Sequence, residues 1–318
     1  MQFPFHCCAS LLVLAINTFA QVVAVPTVDG SEFLAPAATI TKSVDEVNLA
    51  FTVTDKKGHF VSNLRPEDFR LLDNNQAPDR LTFFQQRSDL PLHLAVLIDA
   101  SASVEYRFTF ETDAASTFLK NILRPGIDKA FVVTFNDDVR TVVVPTDKPP
   151  SLRAALRQIR PSGNTALNDA VIYACDRLRH VPEKQMTRRA IILISDGVDT
   201  VHRSTLQQAE QEASRSDVMI FSLTTNYSEE DANGPGDDVL RDLSASTGGG
   251  LLPGHQDVQL QSGLRTVQKA LHNQYVLAYM PSAFVPDGKY HPVELKTVKR
   301  GLRTNCRKGY YARANIQR

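Results

Sequence analysis

The sequence predicts an α/β fold, a doubly wound and mostly parallel sheet, with a small β-sandwich added by the two flanks of the chain. Two observations carry the α/β part. Leu92 to Ile98 is an unbroken apolar run that stops at Asp99-Ala100-Ser101-Ala102-Ser103, and Ala190 to Ile194 is a second that stops at Ser195-Asp196-Gly197. Runs of this length between polar turns read as strands buried on both faces, as parallel sheets require. A third observation carries the sandwich. Short strands precede Leu90 and follow Pro281, and neither group has enough sequence to build a core of its own.

Composition sets the class. With 318 residues, 42% hydrophobic and 22% charged, the chain can bury a large core and is not a disordered one. Lys plus Arg and Asp plus Glu balance at 35 each, and no basic block interleaves with aromatics. That argues against a nucleic-acid or anionic-membrane footprint and for a protein partner or small ligand. Residues 1–20 contain no acid and hold the apolar stretch Ala9 to Ala20, ending Thr18-Phe19-Ala20. This reads as a secretory signal peptide cut near Gln21, although only His6 could carry charge ahead of the apolar core. The run is shorter than the ~20 residues that span a bilayer, and no later one is long enough. The expectation is an exported protein, periplasmic, cell-surface or secreted, with no membrane span after cleavage.

The elements follow in order. A linker over 21–39 leads to a β-rich part over 40–88. There Val47 to Thr54 alternates at period two, Asp55-Lys56-Lys57-Gly58 turns, and Phe69 to Leu72 and Leu81 to Phe84 are short strands. From 89 to 280 strands alternate with helical patterns. Leu92 to Ile98 is followed by an amphipathic helix over Phe108 to Leu123, ended by Arg124-Pro125-Gly126. Ala130 to Phe135 and Val139 to Val144 flank Asn136-Asp137-Asp138 as a hairpin, which puts an antiparallel edge on the sheet.

A short helix over Leu152 to Ile159 is broken by Arg160-Pro161-Ser162-Gly163-Asn164, and a longer helix begins near Thr165. After Ala190 to Ile194 come a helix over Leu206 to Ser214, a strand over Val218 to Leu223 and a helix over Val239 to Ser246, closed by Gly248-Gly249-Gly250. A helix over Leu264 to His272 and a strand over Tyr275 to Met280 end the α/β part. The C-terminal part, 281–318, returns to strands in Tyr290 to Val298 and Leu302 to Tyr311, which are expected to pack with 40–88. Pro292 suits an edge strand or a strand start.

The chemistry gathers at the ends of the two apolar strands. Asp99, Ser101 and Ser103 place three hard oxygens on one tight loop, and Asp196 reaches the same sheet edge if the two strands are neighbours. Magnesium keeps several waters, so a few such donors suffice. Ser162-Gly163-Asn164-Thr165 offers a third loop, with Thr165 presenting its hydroxyl at a helix start. Asp137, Asp138, Asp169 and Asp199 read as solvated turn and helix-start carboxylates, and His93, His202 and His255 show no zinc spacing. Cys175 lies on the apolar face of its helix and reads as a core residue rather than a disulfide partner of Cys306. Asn226-Tyr227-Ser228 has the form of a glycosylation sequon, relevant only in a host that glycosylates exported chains.

Asp99-x-Ser101-x-Ser103, Gly163-x-Thr165 and Ser195-Asp196-Gly197, in that order on strand ends and loops, resemble a von Willebrand factor type A domain with an intact metal-ion-dependent adhesion site. The resemblance covers about residues 89–280 and implies a Rossmann-like fold. It also implies a site in which Ser101, Ser103 and Thr165 are hydroxyl ligands of Mg2+, or of Mn2+ or Ca2+, with Asp99 and Asp196 close to the metal. One position is left for an Asp or Glu carboxylate of a protein ligand. Thr54-Asp55-x-x-Gly58, Pro66-Glu67-Asp68-Phe69 and Arg307-Lys308-Gly309-Tyr310-Tyr311 are similar to an exported bacterial group of such proteins.

The expected function is thus metal-dependent binding of a protein partner rather than catalysis. A magnesium-dependent hydrolase is the enzymatic alternative, and a cell-envelope protein whose metal only braces the loops is the structural one. Against the hydrolase, the sequence has no Gly-x-x-x-x-Gly-Lys phosphate loop and no Gly-x-Ser-x-Gly elbow.

Overall fold

Why Leu92–Asp99 can be a central strand follows from which way its side chains point. The computed structural model describes residues 46–86, 90–148, 154–155, 159–182, 187–226 and 234–312. In it every residue of this strand, β4, is buried. Leu92, Leu94, Val96 and Ile98 join one apolar cluster. Ala95 and Leu97 join another on the opposite face. Each buried Leu or Ile contributes about 1.5–3 kcal/mol, so the run outweighs the several kcal/mol needed to bury the carboxylate at its end.

Strands β1 (Val47–Thr54), β2 (Phe69–Asp73) and β3 (Arg80–Gln86) precede β4. After it come α1 (Phe108–Ile122), β5 (Lys129–Phe135), β6 (Val139–Thr146), α2 (Leu167–Arg179) and β7 (Arg188–Ser195). The chain continues through α3 (Leu206–Arg215), β8 (Val218–Thr224), α4 (Pro235–Thr247), β9 (Gly250–Pro253) and α5 (Asp257–His272). It closes with β10 (Tyr275–Met280), β11 (Tyr290–Thr297), β12 (Arg303–Cys306) and β13 (Gly309–Tyr311).

The main sheet has the order β6-β5-β4-β7-β8-β9. All pairings in it are parallel except β5 with β6, the expected hairpin edge. Helices α1 and α5 supply Ala115, Leu119, Leu264 and Val267 to the cluster on one face. Helices α2, α3 and α4 supply Val171, Cys175, Ala213 and Leu240 to the other. Cys175 is fully buried there, and both it and Cys306 are free thiols.

The flanks form two antiparallel sheets, β12-β1-β10-β3 and β13-β11-β2. Leu49 lies opposite Leu277 and Phe51 opposite Cys306, while Leu71 lies opposite Leu295. One core is common to both sheets, with Phe51, Val53, Leu71, Tyr275, Val293 and Leu295 among its members. Phe51 stacks on Tyr275 at 5.4 Å and meets Phe69 edge-on at 5.2 Å, arrangements that aromatic quadrupoles favour.

Two elements differ from the sequence expectation. Tyr275–Met280 closes the α/β part in the sequence reading, yet β10 hydrogen-bonds to β1 and β3 in the antiparallel sheet. An all-apolar strand buried on both faces carries no mark of which sheet it joins. Strand β9 was not expected, because four half-buried residues after the glycine run give no apolar signal. Gly249 permits the turn into it, since a Cβ there would lie 1.8 Å from the carbonyl of Ile220. The expected signal peptide and linker lie outside the described residues, as do most of the short helix over 152–159 and the sequon beyond Asn226.

Candidate metal centre

Strands β4 and β7 are direct neighbours, with Ile98 level with Ile194, so the two polar turns emerge side by side at the carboxyl edge, where open sheets place ligands. Asp99 ends β4 fully buried. Its Oδ1 accepts a hydrogen bond from the Ser101 N–H at 2.9 Å. Its Oδ2 accepts one from the Ser195 hydroxyl at 2.9 Å. Beyond it the chain makes a 3-10 turn over Ala102–Val104, which brings the Ser101 and Ser103 hydroxyl oxygens within 3.0 Å of each other. Ser101 is buried and Ser103 exposed.

The third loop is tied to both others through its backbone. Ser162 donates to the carbonyl of Ala100 at 2.8 Å, and Ala102 donates to that of Gly163 at 3.1 Å. The buried Thr165 donates its N–H to the Thr200 hydroxyl at 2.8 Å, and its carbonyl accepts from the amides of Thr200 and Val201. Thr200 lies just beyond Asp196, so the loop that follows β7 holds Thr165 in place. Asp196 is half-buried and accepts from Val198 N–H at 3.0 Å.

The electrostatics of this edge are lopsided. Burial pushes the Asp99 carboxyl up to about 6; the Ser101 and Ser195 hydrogen bonds oppose this, and the Asp196 charge adds to it. Behind Asp99, the fully buried Glu111 on α1 is pushed up to about 8 by burial, against the pull of Arg107, with the Asp99 and Asp196 charges adding to the rise. Arg107 faces Glu111 at 3.3 Å and also donates to the carbonyl of Thr225. Both Glu111 oxygens lack a hydrogen-bond partner. Glu111 is thus held largely protonated, and the Asp99 and Asp196 carboxylates are left against one positive side chain, a shortfall of positive charge that a cation would relieve.

Among the described residues no group of three or more His, Cys, Asp or Glu side chains is placed to hold a metal ion. The candidate set has only two carboxylates, and its remaining donors are the hydroxyls of Ser101, Ser103 and Thr165. Hard oxygens of this kind suit magnesium, manganese or calcium.

The neighbouring acids divide. Asp138 is solvated, with 61% of its side chain exposed. Asp199 departs from the expected solvated state, with 9% exposed; it accepts from Asn168 N–H in the first turn of α2 and from His202 N–H. Asp169 pairs with Arg203 at 2.8 Å, and Asp137 accepts from the amide of Asn164. These three brace the loops. Sequence reasoning missed the roles of Ser195, Thr200 and Glu111. The trace of Glu111 is an acid four residues after Arg107 on an otherwise apolar helix face.

Comparison with known proteins bears on the fold. The family described as von Willebrand factor type A domain matches residues 94–198, which span β4 to β7 of the main sheet. No curated protein matches the chain. The D319A mutant of the PilB minor pilin from Streptococcus sanguinis aligns at 10% identity and TM-score 0.48, over 58% of this chain and 62% of that one. A von Willebrand factor type A protein from Catenulispora acidiphila aligns at 13% and 0.46, over 77% and 72%. The von Willebrand factor domain of the type V pili tip protein Mfa5 from Porphyromonas gingivalis aligns at 11% and 0.47, over 57% and 94%. No helix among the described residues is long and apolar enough to cross a membrane.

Proposed function

We propose that the chain is an exported protein-binding module, not an enzyme, which holds a divalent cation through Asp99, Ser101, Ser103, Thr165 and Asp196. The observation that carries this reading is the paired hydroxyls of Ser101 and Ser103, 3.0 Å apart, beside the buried Asp99 carboxylate and under-compensated acidic charge. When bound, a cation held largely by neutral hydroxyls supplies an electrophilic centre for an anionic oxygen of a partner. The residues do the rest. Ser195 and the Ser101 amide fix the Asp99 carboxylate, Thr200 fixes Thr165, and Arg107 offsets part of the charge beneath. The expected partner is a protein offering an Asp or Glu side chain on a protruding loop.

The test is affinity capture on the immobilised chain from extracts of the source cells, in magnesium and in EDTA, with Asp99→Ala alongside. Capture that requires magnesium and is lost in Asp99→Ala supports the proposal. Capture undiminished by both changes would overturn it. A rise in melting temperature with magnesium, absent in Asp99→Ala, reports cation binding separately.

A further inference from the structure

At the opposite edge of the main sheet, near the amino ends of β7 and β8, lies a cavity of ≈ 170 Å³. That is below the 300–1,000 Å³ of pockets for drug-sized ligands. One wall is apolar, from Ala50, Ala213, Val218 and Val276. The polar wall holds three guanidinium groups, Arg188, Arg189 and Arg307, while Asp217 is its only acid among the described lining residues. Asp217 is already engaged by Arg307 at 2.7 Å.

The polar wall is also under-used. Gln274 is 2% exposed, and its Oε1 has no hydrogen-bond partner. The same holds for Asn48 Oδ1, the Ser214 hydroxyl and Arg307 Nε, all from residues lining this cavity. Two other hydroxyls of the lining, those of Ser246 and Thr247, are satisfied within α4. Four buried polar atoms left open around one cavity would each cost about 1–3 kcal/mol without a partner, which marks the space as one that is filled.

We propose that this cavity binds a small carboxylate bearing a neutral hydrogen-bond donor next to its acid group. The donors Arg307 Nε and Ser214 Oγ, in a field of net positive charge, suit the carboxylate. The acceptors Asn48 Oδ1 and Gln274 Oε1 suit an O–H or N–H. That donor must be neutral, because an ammonium group would face three guanidinium groups. The apolar wall takes a short aliphatic body. A 2-hydroxy acid and the last residue of a peptide chain share this chemistry. The inference is independent of the metal centre, which lies at the other edge of the sheet.

The experiment is calorimetric titration of the full chain in EDTA, which keeps anions from binding through a cation. The probes are L-2-hydroxyisovalerate, for the free acid, and N-acetyl-L-alanine, for the peptide end. Propionate lacks the donor, L-alanine carries an ammonium, and N-acetyl-L-alanine methyl ester lacks the carboxylate. Saturable binding of either probe, with all three controls weaker by about tenfold or more, supports the proposal and tells which source fits. Ser214→Ala should weaken binding about tenfold, the loss of one hydrogen bond to a charged group. It should leave the melting temperature of the free protein unchanged, since that hydroxyl holds nothing in the chain. Gln274→Leu should weaken binding and serves beside Arg307→Gln, which also breaks the Asp217 pair. Binding of neither probe, binding equal to that of the controls, or binding untouched by both Ser214→Ala and Gln274→Leu would mean a cavity filled by water and would overturn the proposal.

Discussion

The hydroxyl of Tyr310 donates to Asp73 Oδ2 at 2.9 Å across 237 positions of sequence. The hydroxyl of Tyr279 donates to the same oxygen at 2.8 Å. One buried carboxylate on β2 therefore clasps β13 within its own sheet and β10 from the facing sheet. Burial and the Asp73 contact both hold the two phenols protonated. Tyr310→Phe should lower stability by about 1.5–3 kcal/mol, the range for a hydrogen bond to a charged group. Asp73→Ala should cost more, because it leaves two buried hydroxyls open. Urea midpoints would measure both, and equal effects of the two changes would contradict the shared clasp.

Ser195 acts on the candidate metal centre through its hydroxyl, which donates to Asp99 and accepts from the Gly197 amide in the turn that carries Asp196. Partners that orient a ligand typically change metal affinity 10- to 100-fold, so Ser195→Ala should weaken magnesium binding by about tenfold. Ser195→Thr, which keeps the hydroxyl, should restore most of it. Calorimetric magnesium titration of the three proteins would decide; unchanged affinity in Ser195→Ala would remove this positioning role.

Gly197 has φ +82°, and a Cβ there would sit 2.0 Å from the carbonyl of Gly236. Both the left-handed backbone and a contact with main chain oppose any side chain. Gly197→Ala should destabilise by about 2–4 kcal/mol, combining backbone strain with overpacking. It should also move Asp196, its neighbour, and so weaken cation binding. Thermal melting with and without magnesium reads both effects.

His93 gives a pH dependence remote from the candidate metal centre. Burial lowers its pKa from 6.5 to about 4, and the charges of Lys129 and Arg189 add to this against Asp128. The unfolded chain takes up this proton below about pH 6.5 and the folded one only near 4. Stability from neutral His93 is therefore complete above pH 6.5 and lost as the pH falls towards 4. The loss is on the order of 3 kcal/mol. His93→Gln should flatten that part of the profile relative to the parent, measured by urea midpoints at pH 7 and pH 4.5. Parallel profiles would show that other groups carry the acid sensitivity.

Much of the fold was legible because its main strands are long and apolar throughout. Leu92 to Ile98 and Ala190 to Ile194 could hardly be anything but central strands, and their polar ends pointed to one sheet edge. The partners of Tyr275–Met280 were not legible, since pairing is decided by packing rather than by the strand's own residues. The loop acids were misjudged for a related reason. Asp199 reads as a turn carboxylate, yet its solvation depends on the amide of Asn168, a partner 31 residues away. Ser195, Thr200 and Glu111 act through other residues, so no spacing rule singles them out. The unpartnered atoms around the cavity at the amino ends of β7 and β8 come from four separate parts of the chain and exist as a group only after folding.

The antiparallel sheet that pairs β1 with β10 and β12 has a consequence for how the protein is made. Strand β1 leaves the ribosome long before either of its hydrogen-bonding neighbours, Tyr275–Met280 and Arg303–Cys306, has been made. At about 5–20 residues per second that is a wait of roughly 10–50 seconds. Throughout it β1 offers two open edges to any passing strand. The parallel sheet can close on itself meanwhile, so a chain halted before Arg303 would carry a finished domain and an unfinished, sticky one. The strands that complete this sheet matter less for what they contact than for when they arrive.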